Sequence, residues 1–381
     1  MTTVVLGAGI VGASVAYQLA RDGIDVTIVD PVPPGRPQPG QATPAGAGIV
    51  FPWQFPDAPA GLQALGAAAT NSFDTLTEQL TDDGVADAGY SQPGGMSVSD
   101  QGDELDAMAR GLRWLRDQPG MGGIGVVERL GPAEPTTRFP PLRAEVGAVF
   151  ASGIGQVDGR LLCQGLLQAG RGRGVQVISG VPHLLGTADR VSGVRVAGTD
   201  YPSDVVVVAA GAWSAQVCAP LGVQLPVAPQ RGLTVHLQLP DTQTDGWPAV
   251  RGTGNSYLVA FPGGRVVAGA SVEPDASFSA TVSVAALQQV LNAALALAPG
   301  LSAASVVASM VGFRPVTPDG LPLLGAIPGV TGLLVATGLG SQGLTYGPFV
   351  GELIARQIVT GQAGLPLEPY RPDRPAASPT S

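Results

Sequence analysis

The chain has 381 residues, 45% of them apolar, with a formal net charge of −9. That length allows two domains or one elaborate one, and the acidic balance argues against a nucleic-acid footprint. The sequence contains no lysine, which excludes a Schiff-base lysine, a P-loop lysine and a lysine general base.

Thr3-Val4-Val5-Leu6 reads as a buried strand running into Gly7-Ala8-Gly9-Ile10-Val11-Gly12, a G-x-G-x-x-G turn. Ala13 to Arg21 has helical spacing, Gly23 ends the helix, Val26 to Val29 form a second strand, and Asp30 closes it. A βαβ unit with an acid after its second strand is the dinucleotide fingerprint. The glycines allow a tight turn and close approach to a pyrophosphate, which sits on the helix N-terminus, while Asp30 accepts from the ribose. The alternative is a glycine-rich turn in another α/β fold.

Pro31 to Pro39 reads as a surface loop. In Gly40 to Ile49 the dense small residues let backbone lie against a flat ligand, where the alternative is a flexible linker. Phe51 to Pro59 is aromatic and proline-rich, two helices are expected near Leu62–Leu80 and Glu104–Gln118, and Gly131 to Leu142 is a further connection. Ala148 to Ala151 reads as a strand, Asp158 caps a helix through Ala169, and a strand follows at Val175 to Ile178. Val191 to Val196 alternates as a hairpin strand. The run Asp204 to Gly211 suits a strand covered on both faces, ending where a cofactor can lie, and Ala212-Trp213-Ser214 starts a helix.

Pro229-Gln230-Arg231-Gly232 reads as a turn. Leu233–Leu239, Ser256–Phe261 and Arg265–Gly269 read as antiparallel strands, and Val284 to Leu297 as a helix. Gly312 to Gly320 reads as a loop and Gly332 to Thr337 as a strand. Gly338-Leu339-Gly340-Ser341-Gln342-Gly343 is a second small-residue turn, followed by a long helix from Leu344 to Val359. Beyond Gly364 the tail is polar and proline-rich, and residues 365–381 are expected to be poorly ordered. No apolar run reaches transmembrane length and the βαβ unit begins at residue 2 without a charged leader, so a cytoplasmic protein with no membrane span is expected. Cys163 and Cys218 suggest neither a disulfide framework nor a metal site. The two histidines, His183 and His236, are too far apart in sequence to suggest a cluster.

Four stretches in order, Val4 to Asp30, Gly40 to Val50, Asp204 to Ser214 and Gly312 to Gly347, resemble the flavin-dependent amino-acid oxidase superfamily. That superfamily includes glycine oxidase, sarcosine oxidase and the D-amino-acid oxidases and dehydrogenases. The glycine-oxidase branch is most similar, through Tyr257-Leu258-Val259, Gly312-Phe313-Arg314-Pro315 and Asp319-Gly320. The resemblance implies an α/β, Rossmann-like FAD-binding domain of the glutathione-reductase type, interleaved with an α+β, mainly antiparallel substrate domain. Residues 1–50, 140–222 and 305–364 are expected in the first, and 51–139 and 223–304 in the second.

It implies FAD, held non-covalently because neither cysteine lies near Gly312–Asp319, where some relatives attach flavin. Cofactor contacts are expected from Gly7, Ala8, Gly9, Ile10, Val11, Gly12, Asp30 and Pro31, and from Gln41, Ala42, Thr43, Ala47, Gly48 and Ile49. Val181, Ala210, Gly211, Trp213, Gly312 and Arg314 join them, with Gly338, Gly340, Ser341, Gln342, Gly343, Leu344 and Thr345 from the second turn. The helix after Gly343 is expected to aim its positive end at the flavin. The implied reaction is hydride transfer from the Cα of a glycine, N-substituted glycine or D-amino acid to flavin N5, with oxygen or another electron acceptor downstream and hydrolysis of the imine. Arg314 matches the arginine that pins the substrate carboxylate, the alternative being a structural pair with Asp319. Tyr257 matches a carboxylate-contacting tyrosine, the alternative being a buried structural one. Ser341-Gln342 stand where the branch carries a further arginine, and the oxygen-activating lysine of sarcosine-oxidase relatives cannot exist here. Phe51, Trp53 and Phe261 are candidates for an apolar pocket wall or for core. The rival functions are a nicotinamide-dependent dehydrogenase and a non-catalytic flavin-holding subunit of an electron-transfer complex.

Overall fold

A computed structural model describes residues 1–33, 35–36, 38–51, 60–273 and 277–375. Two large sheets organise them. The first has six strands in the order Leu323–Ala326, Leu333–Thr337, Val205–Val208, Thr2–Leu6, Asp25–Asp30 and Gln176–Ser179. All its pairs are parallel except that of Leu323–Ala326 with Leu333–Thr337. Thr2–Leu6 lies at the centre, with Val4 opposite Val206 on one side and Thr27 on the other. Its neighbours are near-continuous β-branched runs because helices and a hairpin layer bury both faces. Helices Ile10–Arg21, Gly159–Gly172 and Gly343–Thr360 contribute to one face, and the three-stranded antiparallel sheet Pro182–Thr187, Arg190–Val196, Thr199–Pro202 covers the other. Asp158 caps Gly159–Gly172 by accepting from the amides of Arg160 and Leu161.

The second sheet has eight strands in the order Ser305–Val316, Ala228–Gln238, Arg265–Gly269, Tyr257–Phe261, Ala249–Arg251, Gly95–Ser99, Gly147–Ala151 and Val127–Leu130. Every pair is antiparallel except Ala249–Arg251 with Gly95–Ser99. Helix Val284–Leu297 packs on it over Val235, Leu258 and Val266. A small sheet of Ile49–Val50, Gly155–Val157 and Tyr90–Ser91 lies between the two large ones in the chain's path.

Several expectations are corrected. Gly312 to Val316 is no loop: it ends the 12-residue strand Ser305–Val316. Pro229 to Gly232 is likewise strand, within Ala228–Gln238. Proline was read as a breaker, but Ser305–Val316 is an edge strand, where a missing N–H leaves no ladder bond unmade. Pro229 sits opposite Pro315, before Ala228–Gln238 meets a second neighbour, first in the bridge of Arg231 to Glu273 and then in the strand pairing from Thr234. The expected boundaries at residues 140 and 305 also shift, because Gly147–Ala151 and Ser305–Val316 belong to the second sheet. Residues 365–375 are not loose: Tyr370 is buried and donates to the Gly61 carbonyl at 2.5 Å. Arg374 forks onto Asp319 at 2.7 and 2.8 Å. Composition marks this stretch as disordered, while one aromatic and one guanidinium anchor it. Trp53 lies outside the described residues. Phe51 and Phe261 are buried core residues, Phe261 beneath the Arg265 guanidinium at 4.1 Å.

Candidate active site

The carboxyl ends of the central parallel strands open into a cavity of about 1090 Å³ that runs on to one face of the second sheet. At one end, Gly7 has φ +108°, and a Cβ there would stand 2.5 Å from the Ala209 carbonyl oxygen. A Cβ on Gly12 would stand 1.9 Å from the Gly7 carbonyl oxygen. Only glycine permits this turn, which brings helix Ile10–Arg21 up to the strand end. The N-cap Gly9 brings no side-chain cap and the first helical turn holds no acid, so the positive helix end is left for an anion. Thr43 Oγ1 accepts from the Ile10 amide at 3.0 Å, tying the Gly40–Ile49 stretch to the turn.

Asp30 accepts from the amides of Ala8 at 2.7 Å and Val32 at 2.8 Å. Burial raises its pKa against the pull of those two donors. Each carboxylate oxygen keeps a further lone pair for a hydroxyl. The Cys163 thiol donates to the Ala8 carbonyl at 3.2 Å, and burial pushes its pKa up to about 12, so it is an unreactive thiol.

A second helix N-terminus closes the cavity. Helix Gly343–Thr360 begins there, its N-cap Gln342 makes no side-chain cap and its first turn has no acid. Thr345 Oγ1 donates to the Ile49 carbonyl at 3.1 Å, joining the two ends of the chain.

The sheet-side wall carries Arg314 and Tyr257. A Cβ on Gly232 would stand 2.4 Å from the Arg314 guanidinium nitrogens, and one on Gly269 would stand 2.3 Å from the Tyr257 ring. Those two glycines therefore let the cation and the ring lie flat on the sheet. Arg314 donates to the Ser271 carbonyl at 3.3 Å through Nη1 and 3.2 Å through Nη2, and to Arg231 at 3.5 Å. Among the described residues no carboxylate pairs with it, and the Asp319 alternative is gone because Asp319 pairs with Arg374. Burial lowers the Arg314 pKa, partly offset by Tyr257. Burial pushes Tyr257 up to about 12, keeping it a phenol that can donate.

Of the sequence-expected site residues, Gly12 and Gly338 do not line the cavity; the others do. Gly12 acts beneath it through the turn, and Gly338, at φ +81°, bends the chain against Thr317. Sequence reasoning missed Arg251, Gln230 and Asn255 on the sheet side, which also line it. It also missed the packing of Phe313 and Phe278 on Trp213, with ring centroids at 5.7 and 5.2 Å. For Arg251 the available signal was a charged residue ending the apolar strand Ala249–Arg251; Asn255 stands in the turn that follows.

A family model described as "FAD dependent oxidoreductase" (DAO) matches residues 2–357. The "Uncharacterized oxidoreductase YurR" of Bacillus subtilis is 40% identical over 97% of this chain and 98% of its own length. The glycine oxidase of Pseudomonas aeruginosa is 29% identical over 97% and 98%. The crystal structure of iminodiacetate oxidase from Chelativorans sp. BNC1 superposes with a TM-score of 0.90 at 39% identity, covering 97% of this chain and 98% of that one. Glycine oxidase from Geobacillus kaustophilus gives a TM-score of 0.84 at 28% identity, covering 98% of each. The glycine turn and the two helix ends without side-chain caps open into one long cavity. The nicotinamide alternative gives way to FAD. The chain belongs to the DAO family of FAD-dependent oxidoreductases.

Proposed function

We propose that the chain oxidises the CH–NH bond of a small amino acid, whether glycine, an N-substituted glycine or a D-amino acid, to an imine that water hydrolyses. When bound, FAD supplies the two-electron acceptor for a hydride. The Gly7–Ile10 turn would take its pyrophosphate, Asp30 its ribose, and the N-terminus of helix Gly343–Thr360 would favour negative charge on the reduced ring. The chain's own task at the substrate end is orientation. Arg314 holds a carboxylate bidentately, and the Tyr257 phenol donates to the same group. The small residues of Gly40–Ile49 leave room for a flat ring, and Cys163 stays unreactive, which supports non-covalent FAD.

The observation that carries this reading is Arg314, a guanidinium on the cavity wall with carbonyl partners and, among the described residues, no carboxylate. The names of the similar glycine and iminodiacetate oxidases support an amine substrate bearing a carboxylate. The test is anaerobic mixing of the yellow holoprotein with glycine, N-methylglycine, iminodiacetate and D-amino acids. Bleaching by at least one is expected, and no bleaching by any overturns the reading. Acid precipitation should release the flavin to the supernatant; a yellow pellet would overturn non-covalent attachment.

A further inference from the structure

The sheet-side wall holds a second cation in register with the first site. Arg251 lies on strand Ala249–Arg251 and pairs across to Tyr257, which pairs with Gly269, which pairs with Thr234. Directly paired residues of antiparallel strands point to the same face. Arg251, Tyr257, Gly269 and Thr234 therefore form one transverse row, and all but Gly269 line the cavity. Arg314 reaches over Gly232 to Ser271, which follows the Gly269 strand. Arg251 and Arg314 thus line the cavity from strands on either side of the Tyr257 strand. The strands that Arg314 reaches and Arg251 occupies are two strand spacings apart, about 10 Å. Asp30 is the only carboxylate among the described residues lining the cavity, and it stands at the end of a strand of the other sheet.

We infer that Arg251 is a specificity-determining residue and that the preferred substrate is a secondary amine carrying two carboxylates. Arg314 holds the carboxylate next to the carbon that is oxidised, and Arg251 holds the one on the far N-substituent. This rests on the amine-oxidising reading above and names its substrate class. The chemistry is that of the parent reading. One CH₂ gives its hydride to FAD and the nitrogen loses its proton, forming the imine. Water then splits the imine into glyoxylate and the amine that keeps the second carboxylate. With iminodiacetate that amine is glycine.

The test compares iminodiacetate with N-methylglycine, which keeps the secondary amine and lacks the second carboxylate. In the wild-type holoenzyme, kcat/KM is expected to be higher for iminodiacetate. In Arg251→Met, the ratio of the two kcat/KM values should fall by between about tenfold and a hundredfold, the range one charge-assisted contact carries. Arg251→Lys, which keeps the charge, should fall less, and serves as the readout if the Met variant does not fold. A wild type that prefers N-methylglycine, or a ratio unmoved in the variants, overturns the assignment while leaving the parent reading intact. Reduction by neither compound, nor by any other amino acid, removes the parent reading as well.

Discussion

Replacing Arg314 with Gln keeps a hydrogen-bonding side chain of similar shape and deletes the charge. A guanidinium has five N–H donors. Arg314 directs three contacts to the carbonyls of Ser271 and Arg231, leaving two donors without a protein acceptor among the described residues. Two charge-assisted bonds to a substrate carboxylate carry about 3–6 kcal/mol together. The Gln amide recovers about 1 kcal/mol through one neutral bond. The net loss of about 2–5 kcal/mol corresponds to a fall in kcat/KM of about thirtyfold to several thousandfold. The assay is anaerobic flavin reduction by the best substrate across a concentration series, with the flavin-to-protein absorbance ratio measured on the same sample. A normal flavin ratio with unchanged kcat/KM would refute the argument that this cation orients the substrate.

Gly12→Ala drives a methyl group into the Gly7 carbonyl oxygen at 1.9 Å, so the turn must open. The purified variant should carry little flavin; a wild-type flavin content would show that the turn tolerates it. His236 is buried, its Nε2 lacks a partner among the described residues, and burial holds its pKa down at about 4, with Arg265 and Arg160 adding to the effect against Asp158. The folded group resists a proton that the unfolded chain accepts near its ordinary 6.5. Stability is therefore full above 6.5 and falls as pH drops toward 4, by at most about 1.4 kcal/mol per pH unit. Denaturant midpoints of His236→Gln should show a flatter slope across that window, and an unaltered slope would discount the histidine. Arg374→Ala removes the fork on Asp319 and the bonds to the Leu321 and Pro322 carbonyls. Its partly buried position suggests a loss of about 2–3 kcal/mol, visible as a lowered thermal midpoint; an unshifted midpoint would mean the tail contributes nothing.

Where local pattern and tertiary context agree, the sequence was informative. The Thr2–Asp30 unit shows the period switch from strand to helix, its glycines and its terminal acid in one stretch, and the structure reproduces it. Helix Val284–Leu297 was equally plain, because Ser283 caps it by accepting from the Ala286 amide. Strand Ser305–Val316 was not visible, since glycine and proline look like breaks until the strand is known to be an edge. Sheet order was not visible at all: the pairing of Gly95–Ser99 with Ala249–Arg251 joins segments far apart in sequence. For the same reason Arg314 and Tyr257 were found through a motif. Arg251 was not, because its place beside Tyr257 is a matter of cross-strand register. The anchor at Tyr370 was hidden by composition, which records prolines but not what a single aromatic covers.

The hydrogen bond from Thr345 to Ile49 closes the cavity, the proposed cofactor cradle, with residues 296 apart in the chain. During synthesis, the amino-terminal unit leaves the ribosome long before the helix that completes its binding surface. Flavin loading is therefore expected only after the helix that begins at Gly343 has been made. A truncated or clipped polypeptide, however well its first sheet folds, has only half a cradle to offer.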